Sequence, residues 1–172
     1  KRKMNEEMNA LMFESAPDII TIANSEGYFT KVNPTFSKLL GYSEKELTSK
    51  PFVSFLHPKD VENTANEYIG ILSKEKKAYN FINRYRTKNG NYKWISWSSS
   101  DFFGDENNYF AFGRDVSEIT ELQNLFHETA KLAEIGSWEY HTEYESPNFY
   151  LSDVVNEILE LEKNENIDLE TL

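Results

Sequence analysis

Between residues 79 and 114 bulky apolar and polar positions alternate as in strands, and on either side the spacing changes to the threes and fours of helices. Residues 79–87 and 92–103 are predicted strands closed by Asn89-Gly90, the pair favoured in a two-residue hairpin turn. A polar turn over 104–108 leads to a last strand over 109–114. Upstream, residues 18–24 (DIITIAN) and 28–32 are predicted strands around the turn Ser25-Glu26-Gly27. Three short helices lie between the two strand groups. Asn33 is an N-cap, Pro34 fits the first helical position and Gly41 the left-handed position after the last turn. Ser43 and Glu46 have the spacing of a capping box. His57-Pro58 opens the third helix as a cap, with Asp60 and Glu62 in its first turn and one apolar stripe of Val61, Ala65, Tyr68, Ile69 and Leu72.

The ends are helical in pattern. Met4, Met8, Leu11 and Met12 mark an amphipathic helix over residues 1–14, stopped by Ala16-Pro17. Val116, Ile119, Leu122, Phe126, Ala130 and Ala133 recur as in a coiled-coil seam, with Asp115 as N-cap and Glu118 as its capping-box partner. After Gly136 strand-like residues return (Trp138, Tyr140, Phe149, Tyr150, Leu151), followed by a helical pattern of Val154, Val155, Ile158 and Leu159. The order of two strands, helices and three strands predicts an α+β domain with an antiparallel sheet and helices on one face.

A two-residue turn pairs Thr87 with Tyr92, Tyr85 with Trp94, Asn83 with Ser96 and Phe81 with Ser98 on one sheet face. This face is expected to look toward the helices. Its serines leave room and polar handles for a small molecule, unless helix side chains fill the space. The opposite face, with Ile95 and Trp97, is then expected to pack against an amphipathic helix, the chain's own or a partner's.

Composition narrows the function. The 172 residues carry a net charge of −11, with 39% hydrophobic and 15% aromatic residues. A folded core is expected, and a nucleic-acid surface, which needs clustered Lys and Arg, is not. Lys1-Arg2-Lys3 is the single basic run. No apolar stretch approaches the roughly 20 residues that span a bilayer, and no signal-peptide pattern is present; the expected location is cytoplasmic, without direct membrane contact. Cysteine is absent, which removes disulfides and thiolate chemistry. No His/Asp/Glu cluster has metal spacing and no glycine-rich loop follows a strand, so catalysis is not expected. The acidic run from Glu160 to Glu170 is expected to be a solvated helix face and linker.

From about Leu11 to Gln123 the chain resembles the PAS sensor domain with its C-terminal PAC motif, as in bacterial sensory histidine kinases. The matching residues are Asp18-Ile19-Ile20, Asn33-Pro34, Gly41-Tyr42-Ser43, Glu46-Leu47, His57-Pro58-Lys59-Asp60, Lys88-Asn89-Gly90 with Trp94, and Gly113-Arg114-Asp115-Val116-Ser117. Residues 131–140, with Leu151-Ser152-Asp153, resemble the opening of a second such domain. The resemblance implies a five-stranded antiparallel sheet with short helices on one face and amphipathic helices at both ends. The implied domains are an N-terminal helix over 1–15, the sensor domain over 16–115, an outgoing signalling helix over 116–134, and a truncated second copy over 135–172.

It further implies a small-molecule ligand of unknown identity, a homodimer formed through the flanking helices and a sheet face, and a kinase output beyond this chain. A diguanylate cyclase or transcriptional output would use the same module. The implied pocket is Phe36, Phe55, Tyr68, Leu72, Phe81, Asn83, Ser96 and Ser98; the relay is Asp115 with Trp94 and Arg114; helix packing or dimerisation falls to Ile95, Trp97, Leu122 and Phe126. Haem is argued against because residues 58–73 hold no histidine, and adduct-forming flavin because there is no cysteine. His127-Glu128 lacks the pattern that follows a kinase phosphoacceptor. A ligand-free dimerisation scaffold is the alternative function.

Overall fold

The computed structural model describes residues 2–73, 77–104, 107–141 and 148–158, so the acidic run of residues 160–170 and Leu159 lie outside the described residues. The chain divides into two units, Lys1–Glu118 and Ile119–Leu172.

In the first unit, helix α1 (Arg2–Ser15) precedes strands β1 (Ile19–Ala23) and β2 (Phe29–Val32), helices α2 (Pro34–Leu40), α3 (Glu44–Thr48) and α4 (Val61–Leu72), and strands β3 (Phe81–Arg86), β4 (Tyr92–Phe103) and β5 (Asn108–Asp115). All pairs are antiparallel, in the order β2-β1-β5-β4-β3. Local punctuation sets the short helices. Asn33 Oδ1 accepts the Phe36 N–H at 3.2 Å, and Gly41 has φ 78°, open to a residue without a β-carbon. Ser43 and Glu46 form the reciprocal capping box. His57 Nδ1 accepts the Lys59 N–H at 3.1 Å, opening a 3₁₀ turn (Pro58–Asp60) ahead of α4.

The hairpin register differs from expectation by one residue. Phe81 faces Trp97, Asn83 faces Ile95 and Tyr85 faces Lys93. The Thr87 N–H donates to Asn91 O at 2.8 Å and the Gly90 N–H to Thr87 O at 3.0 Å, so the loop has three residues, Lys88, Asn89 and Gly90. A type I′ turn needs positive φ at both Asn89 and Gly90; here Gly90 alone of the two has it, at 92°. The Lys88 N–H donates to Leu40 O at 2.8 Å and Lys88 Nζ reaches Glu46 Oε1 at 2.7 Å, tying the loop to α2 and α3.

A one-residue slip exchanges the faces of a strand. Ile95 and Trp97 therefore lie in the core beneath the helices, not on the outer face, and Ser96 lies outside. Trp97 packs against Phe29, Phe36 and Tyr85 with ring centroids 5.5–6.5 Å apart. The stripe expected on α4 is also displaced. Thr64, Gly70 and Ile71 are its buried residues, while Val61, Ile69 and Leu72 are exposed. The helix covers a wall that already holds a polar side chain, so a polar Thr64 suits it better than a fully apolar stripe.

In the second unit, α5 (Ser117–Leu132), whose first two residues belong to the first unit, is followed by strands β6 (Trp138–His141) and β7 (Asn148–Leu151), an antiparallel pair, and by α6 (Asp153–Ile158). Gly136 is pressed against this helix: a β-carbon there would lie 2.0 Å from Val155 Cγ2.

Candidate functional site

Register and helix placement together leave a cavity of about 60 Å³ between the sheet and the helical layer. Its walls come from β2 (Phe29), the 3₁₀ turn at Phe52, α4 (Thr64, Tyr68, Ile71), β3 (Phe81, Asn83, Tyr85), β4 (Trp97, Ser98, Ser99) and β5 (Tyr109, Ala111). Seven aromatic side chains line it. One polar chain crosses it: Trp97 Nε1 donates to Asn83 Oδ1 at 3.0 Å, and Asn83 Nδ2 donates to Thr64 Oγ1 at 3.1 Å. Asn83 is 2% exposed, so these bonds are what make its burial tolerable. Tyr68 donates from its hydroxyl to Asn24 O at 3.1 Å, holding α4 to the β1–β2 turn.

Burial pushes the Tyr85 phenol well above the usual tyrosine range, with a smaller push from neighbouring Tyr109. Burial does the same to Tyr109, with Tyr68 adding to it. Both are protonated at neutral pH. At the foot of α4, Asp60 Oδ2 accepts from the Arg84 N–H at 2.8 Å and Nε at 2.9 Å, and the guanidinium lies over the Trp94 ring, 4.8 Å from its centroid. The Arg84 hydrogen bonds hold the Asp60 carboxyl below its ordinary value against the opposing effect of burial.

Of the expected pocket residues, the structure brings together Tyr68, Phe81, Asn83 and Ser98 around this cavity. Phe36 is fully buried in the packing against Phe29, Tyr85 and Trp97, and Phe55 packs edge-on against Tyr42; neither lines the cavity. Leu72 is exposed. Ser96 borders a different concavity on the outer sheet face, a groove of about 360 Å³ shared with Asp18, Asn80, Phe112 and Arg114; Ser98 touches both. Thr64, Tyr109 and Ala111 were outside the expected set. Strand parity places Tyr109 and Ala111 on the helix-facing side of β5, whereas Thr64 lies on α4, off the apolar stripe read from the sequence.

The joint with α5 is built on β5, the strand that carries Tyr109 and Ala111. Asp115 is the last residue of the strand, one position short of the N-cap expected for it. Its Oδ1 accepts from the Ser117 N–H at 2.9 Å and from the Ser117 hydroxyl, so its companion is Ser117 rather than Glu118. Ser117 Oγ in turn accepts the Trp94 N–H at 2.9 Å, and the Val116 N–H donates to Trp94 O at 2.9 Å. Trp94 thus takes part through its backbone. Arg114 pairs with Asp18 (Nη2–Oδ2 2.6 Å), joining the end of β5 to the start of β1. Leu122 and Phe126 are exposed on α5.

These features define an α+β domain with one antiparallel sheet, a helical layer on one face, a small cavity between them and a helix leaving the last strand. Residues 29–112 match the family model of the PAS fold, and the first unit of this chain is a PAS domain. The chain is 24% identical over 144 residues (78% of this chain, 13% of the relative) to a probable diguanylate cyclase of Escherichia coli. Among solved structures it resembles the PAS domain of a Colwellia psychrerythraea protein, with TM-score 0.58, 21% identity, and coverage of 66% of this chain and 98% of that one. It also resembles a domain of a sensory box sensor histidine kinase/response regulator from Geobacter sulfurreducens, with TM-score 0.56, 20% identity, and coverage of 67% and 97%. The domain is thus of the kind found in signalling proteins. Among the described residues no helix is long and apolar enough to cross a membrane.

Proposed function

We propose that this chain is the input module of a larger cytoplasmic signalling protein, in which a small molecule bound beneath the helices shifts β5 and the signal leaves through α5. One observation carries this reading: the strand whose Tyr109 and Ala111 line the cavity ends in Asp115, which holds the first turn of α5 through Ser117. A displacement of the cavity wall therefore reaches the helix along one stretch of backbone, without passing through a side-chain network. A sensor histidine kinase output is the first choice and a diguanylate cyclase the second; the similarity to a cyclase keeps the latter in view. The β6–β7 pair and α6 fit the start of a second copy of the module.

The test is native mass spectrometry of the purified protein, followed by hydrogen exchange. A recurrent small molecule, lost in Ala111→Leu, is expected. Its removal should change exchange in the first turn of α5, and Asp115→Ala should disconnect that change from ligand loss. Absence of any bound molecule, with α5 exchange the same in wild type and Ala111→Leu, overturns the ligand reading.

The outer sheet face favours a second role, dimerisation. Phe103, Phe110 and Phe112 stack in sequence there (centroids 4.8 and 6.0 Å), and Ile82 is exposed on the same sheet. These residues, rather than Ile95 and Trp97, are the ones to mutate, with sedimentation as the readout.

A further inference from the structure

Polar atoms along the cavity wall are mostly committed to protein partners. Asn83 uses its oxygen on Trp97 and its nitrogen on Thr64, and Ser99 Oγ accepts the Ala78 N–H at 2.8 Å. Besides the hydroxyl of half-buried Ser98, which also has no partner among the described residues, two buried wall groups stand apart. The hydroxyls of Tyr85 and Tyr109 have no hydrogen-bond partner among the described residues, although these side chains are 3% and 5% exposed. Neither oxygen is sealed into the packing. Among the described residues Asn108 Oδ1 is the one fully enclosed side-chain polar atom without a partner, so the two phenol oxygens keep some accessible surface, and both side chains line the cavity. A buried hydroxyl without a partner is unfavourable, and phenylalanine would fill the same volume without that cost. Two such hydroxyls around one cavity point to a partner that arrives from outside.

We propose that the cavity selects a neutral molecule of a few heavy atoms through a carbonyl- or amide-type oxygen, received by the hydroxyls of Tyr85 and Tyr109. This deepens the ligand-input reading and rests on it. Charge decides between ligand classes. Among the described residues no Lys, Arg or His lines the cavity, so an anion would be desolvated with none of them to balance it. Glu67 is, among the described residues, the single ionisable wall residue apart from the tyrosines; it is half-buried and already partnered, which disfavours a cation drawn in as its counter-ion. The phenols are protonated at neutral pH and offer two donors, which an acceptor oxygen with two lone pairs satisfies. Size narrows the class further. The space is less than half the roughly 150 Å³ of an engineered cavity that admits benzene. The surrounding rings supply the apolar contact that such a ligand's carbon atoms require.

The test uses the full chain and four probes: acetamide, its charged relatives acetate and acetamidinium, and xenon as an apolar filler, each followed by NMR shifts of the Trp97 indole and Asn83 amide. Acetamide should bind in the millimolar range while acetate and acetamidinium do not. Tyr85→Phe and Tyr109→Phe should each weaken acetamide binding by about three- to tenfold, the loss of one neutral hydrogen bond. Xenon entry should be unchanged, which also shows that the variants retain the cavity. Preference for either charged probe overturns the inference. So does acetamide binding that ignores both substitutions, or xenon entering where acetamide does not, and in those cases the ligand reading survives without it. If no probe enters, xenon included, both fall.

Discussion

Substituting alanine at Gly113 tests the arrangement on which the site depends. Gly113 lies on β5 directly opposite Trp97, beneath its indole. A β-carbon there would stand 2.9 Å from Trp97 Cζ3, 3.0 Å from Ile95 Cγ2 and 3.1 Å from Trp97 Cε3, all inside normal contact distance. Ile95 is fully buried and Trp97 is 6% exposed, hydrogen-bonded to Asn83 and packed among three rings, so neither can yield cheaply. Overpacking of this kind costs about 1–3 kcal/mol. Alanine also restricts the unfolded chain, returning about 0.4–1 kcal/mol. The net expectation is a loss of about 1–2 kcal/mol, a fall in Tm of roughly 4–8 °C per kcal/mol for a domain near this size. Thermal and urea unfolding followed by tryptophan fluorescence measure it. Trp97→Phe removes the crowded ring atoms, so the double variant should be less destabilised than the sum of the two single changes. A neutral or stabilising Gly113→Ala would mean that the indole is not over Gly113. That is the result expected if Trp97 pointed outward, and it would dismantle the cavity described above.

Three further predictions follow from the same geometry. Asn83→Ala strands the Trp97 indole N–H and should cost about 2–4 kcal/mol in urea unfolding, more than truncation of an exposed asparagine. The Asp60 carboxyl has a depressed folded-state pKa, so its contribution is present above the unfolded value near 4 and is lost as pH falls through the folded value; Asp60→Asn should flatten the acid limb of stability against pH, and an unchanged limb would exclude this pair. For Tyr85 and Tyr109 the sign reverses. Their folded-state pKa values are raised, so their contribution holds below the unfolded value near 10 and declines by about 1.4 kcal/mol per pH unit for each tyrosine above it. Tyr85→Phe should remove its share of the decline in urea midpoints measured between roughly pH 9 and 11.5.

Much of the fold was legible in the residues because its instructions are local. Asn33-Pro34 with Gly41, and Ser43 with Glu46, act within one or two turns of backbone, and the caps they predict are the caps observed. The order of strands and helices followed from periodicity in the same way, and the five-stranded antiparallel sheet is the one the family resemblance implied. The face of the hairpin was a different kind of question. Asn89-Gly90 suits a two-residue turn in isolation, yet Asn89 keeps negative φ, its Oδ1 accepting from the Thr87 hydroxyl and the Asn91 N–H. Lys88, meanwhile, is drawn to Leu40 O and Glu46. Those contacts lie more than forty positions away in sequence, and they favour a loop one residue longer. Since strand side chains alternate with a period of two, that single residue sent Ile95 and Trp97 inward and Ser96 outward. The chain alone thus determined which strands and α-helices form and, at Asn33 and Ser43, where the short helices begin. Tertiary structure decided which side chains share a cavity, because strand parity depends on a loop length that distant contacts select.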